Sequence, residues 1–155
     1  MMKSQIQIAV GFALLAGATS LYDLSPVMAQ SRSVDGRFQG RGVAQGAAFT
    51  RGRSANVTLT TDRDNFSLDM AEPSRRGARV QYRGAIMRRN GGSNNPNSFT
   101  LDARVRSFDT STSLRPITTT AGTCRIEVFD ARVVSSTCTS LADDSSTRFL
   151  GLEQF

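Results

Sequence analysis

From Phe38 onward, hydrophobic residues recur at every second position, a spacing that admits strands and excludes helices. In RFQGRGVAQ, Phe38, Gly40, Gly42 and Ala44 alternate with Arg37, Gln39, Arg41 and Val43. SANVTLTT alternates Ala55, Val57 and Leu59 with Asn56, Thr58 and Thr60, and NFSLDM alternates Phe66, Leu68 and Met70 with Ser67 and Asp69. ARVQYRGAI sets Val80, Tyr82, Gly84 and Ile86 against Arg79, Gln81, Arg83 and Ala85. SFTLDARVRS sets Phe99, Leu101, Ala103 and Val105 against Thr100, Asp102, Arg104 and Arg106, and CRIEVF sets Cys124, Ile126 and Val128 against Arg125, Glu127 and Phe129. Each is the pattern of a strand with one packed face and one wet face. A last strand is expected in TRFLGLEQF.

Gly, Pro, Asn, Ser and Thr punctuate the intervals, in AEPSRRG, NGGSNNPNS and SFDTSTSLRPITTTAGT. No sustained helical stripe interrupts them. The expected fold is therefore all-β: one small antiparallel β-barrel or β-sandwich of about seven to eight strands. Its core would be built from Phe38, Val57, Leu59, Phe66, Leu68, Val80, Tyr82, Ile86, Phe99, Leu101, Val105, Ile126 and Val128.

The first 29 residues read differently. Lys3 precedes the apolar run Ile6–Ala18, which is shorter than the about 20 residues a membrane helix needs. SPVMAQ then places Val27 and Ala29 at the spacing a signal peptidase reads. The expectation is a signal peptide over 1–29 and a single all-β domain over 30–155, exported to the periplasm or the extracellular space.

Export bears on the only two cysteines, Cys124 and Cys138. An even count in a small exported chain points to a disulfide. Zinc would need further Cys or His ligands, and the chain has no histidine. Two arrangements fit: a hairpin turning near Asp130 with the cysteines opposite one another, or one longer strand with a bulge there. The turn residues Asp130-Ala131-Arg132 lack the Gly or Asn that tight hairpins favour.

The missing histidine also narrows the chemistry. Ser-His-Asp and Cys-His nucleophiles are impossible, and with Lys3 lost in the leader no lysine remains for a Schiff base. Carboxylate pairs such as Asp62 with Asp64, or Asp69 with Asp102, are what survives for acid–base work. Alternation puts Asp69 and Asp102 on the wet face, where carboxylates beside arginines act as solvated ion pairs. Asp62-Arg63-Asp64-Asn65 has the spacing with which a calcium loop begins, but Phe66 stands where an oxygen ligand is required. The reading assigns no catalytic residue, no cofactor and no metal.

What remains is charge. Residues 30–155 carry 18 arginines against 12 acids. Between Arg75 and Arg106 lie Arg75, Arg76, Arg79, Arg83, Arg88, Arg89, Arg104 and Arg106, with Asp102 the one acid. If Arg79 and Arg83 share an outer sheet face with Arg104 and Arg106, flanked by Arg88 and Arg89, that face attracts polyanions. Outside the cytoplasm these are lipopolysaccharide or acidic polysaccharide. Tyr82 and Phe99 face inward by parity, which argues against base stacking and hence against nucleic acid.

Three readings follow. The first is an exported, non-catalytic domain that binds or coats an anionic polymer. The second is an eight-stranded outer-membrane barrel, suggested by the strand count and terminal Phe155, opposed by strands nearer six residues than ten and by the lack of aromatic girdles. The third is an inhibitor-like module that presents RRNGGSNNPNS to a partner protein.

Overall fold

A computed structural model describes residues 35–91, 94–111, 120–142 and 145–152. The leader expected over 1–29 and the terminal Phe155 lie outside these residues. Eight strands form: β1 (Gly36–Gly46), β2 (Phe49–Asp62), β3 (Asn65–Ala71), β4 (Arg79–Asn90), β5 (Phe99–Thr110), β6 (Gly122–Phe129), β7 (Arg132–Ser140) and β8 (Thr147–Gly151). Each pairs antiparallel with the next, and β8 pairs antiparallel with β1, so the sheet closes into a barrel. Closure decides between barrel and sandwich.

The register stacks predicted inward residues in rows, joined by Ala44, Phe108, Ser136 and Phe149. Phe38 faces Leu59, Leu59 faces Leu68, Leu68 faces Tyr82 and Tyr82 faces Phe108. A second row runs Leu101, Ile126, Ser136, Phe149 and Ala44. These side chains are buried, as are Val57, Phe66, Met70, Val80, Phe99, Val105 and Val128, so the barrel interior is a packed core. Phe38 and Phe99 meet edge to face with ring centroids 5.0 Å apart.

Several strands are longer than the alternation suggests: β2 has 14 residues, and β4 and β5 have 12 each. Bulges explain the latter two. Met87 is an extra residue between Ile86, which faces Ala103, and Arg88, which faces Asp102. Arg106 is likewise extra between Val105 and Ser107. Each bulge reverses parity, so the strand continues while its sequence period appears to stop. Beyond Met87 it is Arg89, opposite Leu101, that turns to the inner side. Beyond Arg106 it is Phe108.

Inward glycines mark the tightest approaches. A Cβ at Gly42 would lie 1.9 Å from the carbonyl oxygen of Leu150, on the β1–β8 closure, and one at Gly84 would lie 1.9 Å from that of Arg104. Here a neighbouring backbone fills the space a side chain would need.

Cys124 and Cys138 stand directly opposite on β6 and β7 and form a disulfide, with Cα atoms 4.1 Å apart. The hairpin arrangement is therefore the correct one. Its two-residue turn, Asp130-Ala131, has φ values of 49° and 62°. Both lie in the left-handed region, so the tight turn forms despite the absent glycine, held from outside by Ala131 N–H donating to Asn97 O at 2.8 Å and Asp130 N–H donating to Ser98 Oγ at 3.0 Å. Left-handed backbone costs a non-glycine residue about 1–2 kcal/mol. Ala131→Gly should accordingly raise stability by about 1 kcal/mol in chemical denaturation, with an unchanged or lowered midpoint refuting the assignment.

At the opposite end of the barrel, the Tyr82 hydroxyl donates to the Ser145 carbonyl and lies 2.7 Å from Thr147 Oγ1. Burial pushes the Tyr82 phenol up from 10.0 to about 12. A folded-state pKa above the unfolded one means that the stabilisation is complete below about pH 10 and is lost as pH rises towards 12. The chain has no histidine, its cysteines are bridged, and its only other tyrosine is Tyr22. Stability should therefore be flat from about pH 6 to 9 and fall between about pH 10 and 12, with the fall greatly reduced in Tyr82→Phe. That variant should also lose about 1–3 kcal/mol at neutral pH, because the buried Ser145 carbonyl loses its donor and the Thr147 hydroxyl loses its partner. Thermal melts across pH test both statements.

Candidate polyanion interface

The closed sheet separates the arginines of the sequence cluster into distinct environments. Arg79 is outward and exposed, but its Nη2 and Nε donate to Asp69 Oδ1 at 2.7 and 3.2 Å. This hydrogen bond, with the Coulombic attraction of Asp69, raises the Arg79 pKa. Gln81 Nε2 donates to the other Asp69 oxygen at 2.7 Å. Arg88 lies opposite Asp102, and Asp102 lies opposite Arg125, whose Nη1 is 3.8 Å from Asp102 Oδ1. Arg79 and Arg125 thus already hold a carboxylate, and Arg88 has one opposite it in the register.

Arg89 leaves the outer face altogether. Its guanidinium carbon sits 3.7 Å over the Phe99 ring centroid, and its Nη2 donates to Pro96 O at 3.1 Å. Burial lowers its pKa. Stacked in this way it covers the aromatic pair at the barrel end and serves packing.

Of the others, Arg75 and Arg76 are exposed in the turn between β3 and β4, and Arg83, Arg104 and Arg106 remain on the strands. All three are exposed on the outer face, and none makes an ion pair among the described residues. Arg104 and Arg106 stand two apart on β5, about 7 Å along the strand. Arg83 lies on adjacent β4 opposite Ser107. Like charges grouped on one sheet face are destabilising. A bound anion relieves that repulsion, and three guanidinium forks offer two-point contacts to carboxylate, sulfate or phosphate.

The residues weighed for other chemistry have structural places. Asp62-Arg63-Asp64-Asn65 is a two-residue hairpin turn: Asp62 pairs with Asn65, Arg63 has φ 52° and its N–H donates to Asp35 Oδ1 at 2.7 Å. Among the described residues no group of three or more potential metal ligands exists. Asp69 and Asp102 are outward, as alternation requires, each beside arginine.

A second set of arginines, Arg37, Arg41 and Arg132, surrounds a groove on the outer surface where β1 meets β7. Arg37 and Arg41 are legible in the sequence as same-face residues, but Arg132 joins them only through closure of the sheet. Comparison with known proteins found no matching family model, no matching characterised protein and no matching solved structure. Function must be argued from the surface itself.

Proposed function

We infer that this barrel is an exported, non-catalytic module that binds or coats an anionic polymer of the envelope or extracellular space, of the lipopolysaccharide or acidic polysaccharide class. The observation that carries the reading is the outward trio Arg83, Arg104 and Arg106, grouped on one face without an ion pair among the described residues. The packed interior supports a surface-binding role over a cavity-binding one. Arg79 and Arg125, anchored by Asp69 and Asp102, act as the flank with Arg88, which stands opposite Asp102, and Arg89 belongs to the core side.

The sidedness of the barrel weighs against the outer-membrane alternative. A membrane barrel carries an apolar band outside, whereas mid-strand outward positions here include Arg41, Arg83, Arg104, Arg125 and Thr137. An arginine at the bilayer midplane costs about 2–4 kcal/mol. The inhibitor reading loses support from the loop before β5, where Ser98 and Asn97 are tied to the β6–β7 turn.

Retention on an anionic polysaccharide matrix tests the reading. The purified protein should be held at low salt and released steeply as salt rises. Replacing Arg83, Arg104 and Arg106 together with Gln should cut retention by about tenfold or more, since each lost charge-assisted contact weakens binding. Equal retention of wild type and triple variant would dispose of the assignment.

A further inference from the structure

The barrel seam contains a second site of different shape. β8 has five residues, against 11 in β1 and nine in β7. Where β8 ends, Leu152 N–H donates to Arg41 O at 2.8 Å, and beyond it β1 meets β7 directly, with Gln39 opposite Arg132. The short strand leaves a groove of about 1010 Å³ in the outer surface.

Its floor is a polar grid set by register. One row runs Thr58, Gln39, Arg132 across β2, β1 and β7. Arg41 faces Asn56 on one side of that row, and Arg37 faces Thr60 on the other. Arg37 and Arg41 therefore flank Gln39, each about 7 Å away along the strand, and Arg132 lies across from it. Each flanking arginine is a diagonal neighbour of Arg132, about 8 Å away at the backbone. All three are exposed, and among the described residues no carboxylate lines the groove and none of the three makes an ion pair. Asp130 lies in the adjoining recess with Phe129.

We propose that this groove is a binding site for an acidic oligosaccharide, with Arg37, Arg41 and Arg132 holding its carboxylate or sulfate groups and Gln39, Asn56 and Thr58 meeting its hydroxyls. Arg37 and Arg41, about 14 Å apart along the strand, with Arg132 about 8 Å from each, suit a chain of charged rings better than one small anion. The neutral amides and hydroxyl between them are donors and acceptors of the kind sugar hydroxyls pair with. Among the described residues a single aromatic, Phe129, stands at the margin, too few for the successive stacking that single-stranded nucleic acid uses. The site is separate from the β4–β5 face and does not depend on it.

Calorimetric titration of the purified protein with tetragalacturonate tests the proposal, with its neutral methyl ester and a twelve-residue oligothymidylate as comparators. Tetragalacturonate should bind, and Arg37→Gln/Arg41→Gln/Arg132→Gln should weaken it by at least about tenfold, at an unchanged melting temperature, because the exposed side chains carry no packing. Gln39→Ala should weaken it about threefold, and Arg83→Gln/Arg104→Gln/Arg106→Gln should leave it within about twofold. The proposal is overturned by no detectable binding of tetragalacturonate, by equal binding of the methyl ester, by tighter binding of the oligothymidylate, or by loss confined to the sheet-face variant. Because the probe is short and the two variants are distinct, failure here leaves the retention experiment on the β4–β5 face to stand or fall independently.

Discussion

Gly42→Val is expected to abolish folding. Gly42 lies where β1 closes on β8, opposite Gly151, and its missing side chain is replaced by the Leu150 carbonyl. A Cβ there would sit 1.9 Å from that oxygen and 2.7 Å from its carbon, with Gly151 Cα at 2.8 Å. Backbone cannot yield as the tip of a flexible side chain can, so the β1–β8 pairing must separate. β8 would then lose its partner, and the core would open beside Phe149 and Ala44. The cost should exceed about 4 kcal/mol, a range reached only by severe strain or core disruption. Far-ultraviolet circular dichroism and limited proteolysis read the result directly. A cooperative melt within a few degrees of wild type would show that the closure is not where the structure places it. Val43, the neighbouring outward position, is the control: Val43→Thr should change stability by no more than about 0.5 kcal/mol.

The second large effect concerns the disulfide. Cys124→Ala/Cys138→Ala should lose about 3 kcal/mol by chain entropy, because the bridge closes a loop of sequence separation 14. For a domain of this size that is a fall of about 10 °C in melting temperature. Alanine is the suitable replacement, since both cysteines are buried on the inner side and serine would bury hydroxyl groups. Urea denaturation should show a lower midpoint, with a slope no smaller than that of the wild type because the unlinked unfolded chain is less compact. An unchanged midpoint would mean that the hairpin is closed as firmly by its ladder and turn alone.

The strands were legible because half-buried β structure writes itself in period two, and the inward parity of Phe38, Leu59, Leu68, Tyr82, Leu101 and Ile126 follows from it. The disulfide was legible on another ground, the even cysteine count of a chain read as exported, and alternation added only that Cys124 shares a face with Ile126 and Val128. Bulges were not. Met87 and Arg106 each reverse parity, and nothing local distinguishes such an extra residue from the end of a strand. The Arg88-Arg89 pair shows the consequence, one outward beside Asp102 and the other over Phe99. The Asp130-Ala131 turn was obscured because tertiary hydrogen bonds from Asn97 and Ser98 override weak turn propensity. Closure of β8 on β1 is a contact between distant segments, so the groove uniting Arg132 with Arg37 and Arg41 could not be read in advance.

These observations give the outer arginines two different surroundings. On β4 and β5 they stand on an open sheet face with carboxylates at the flanks. At the seam they surround a groove with neutral polar side chains on its floor.

The most direct test of the central claim, an exported barrel with its charged side in water and its cysteines bridged, is the intact non-reduced mass of the protein recovered from separated soluble and membrane fractions. The expected result is a species in the soluble fraction that begins at Gln30 and is two hydrogen atoms lighter than its reduced form. A species held in the membrane after a high-salt wash, or one that retains residues 1–29 with free thiols, would contradict it.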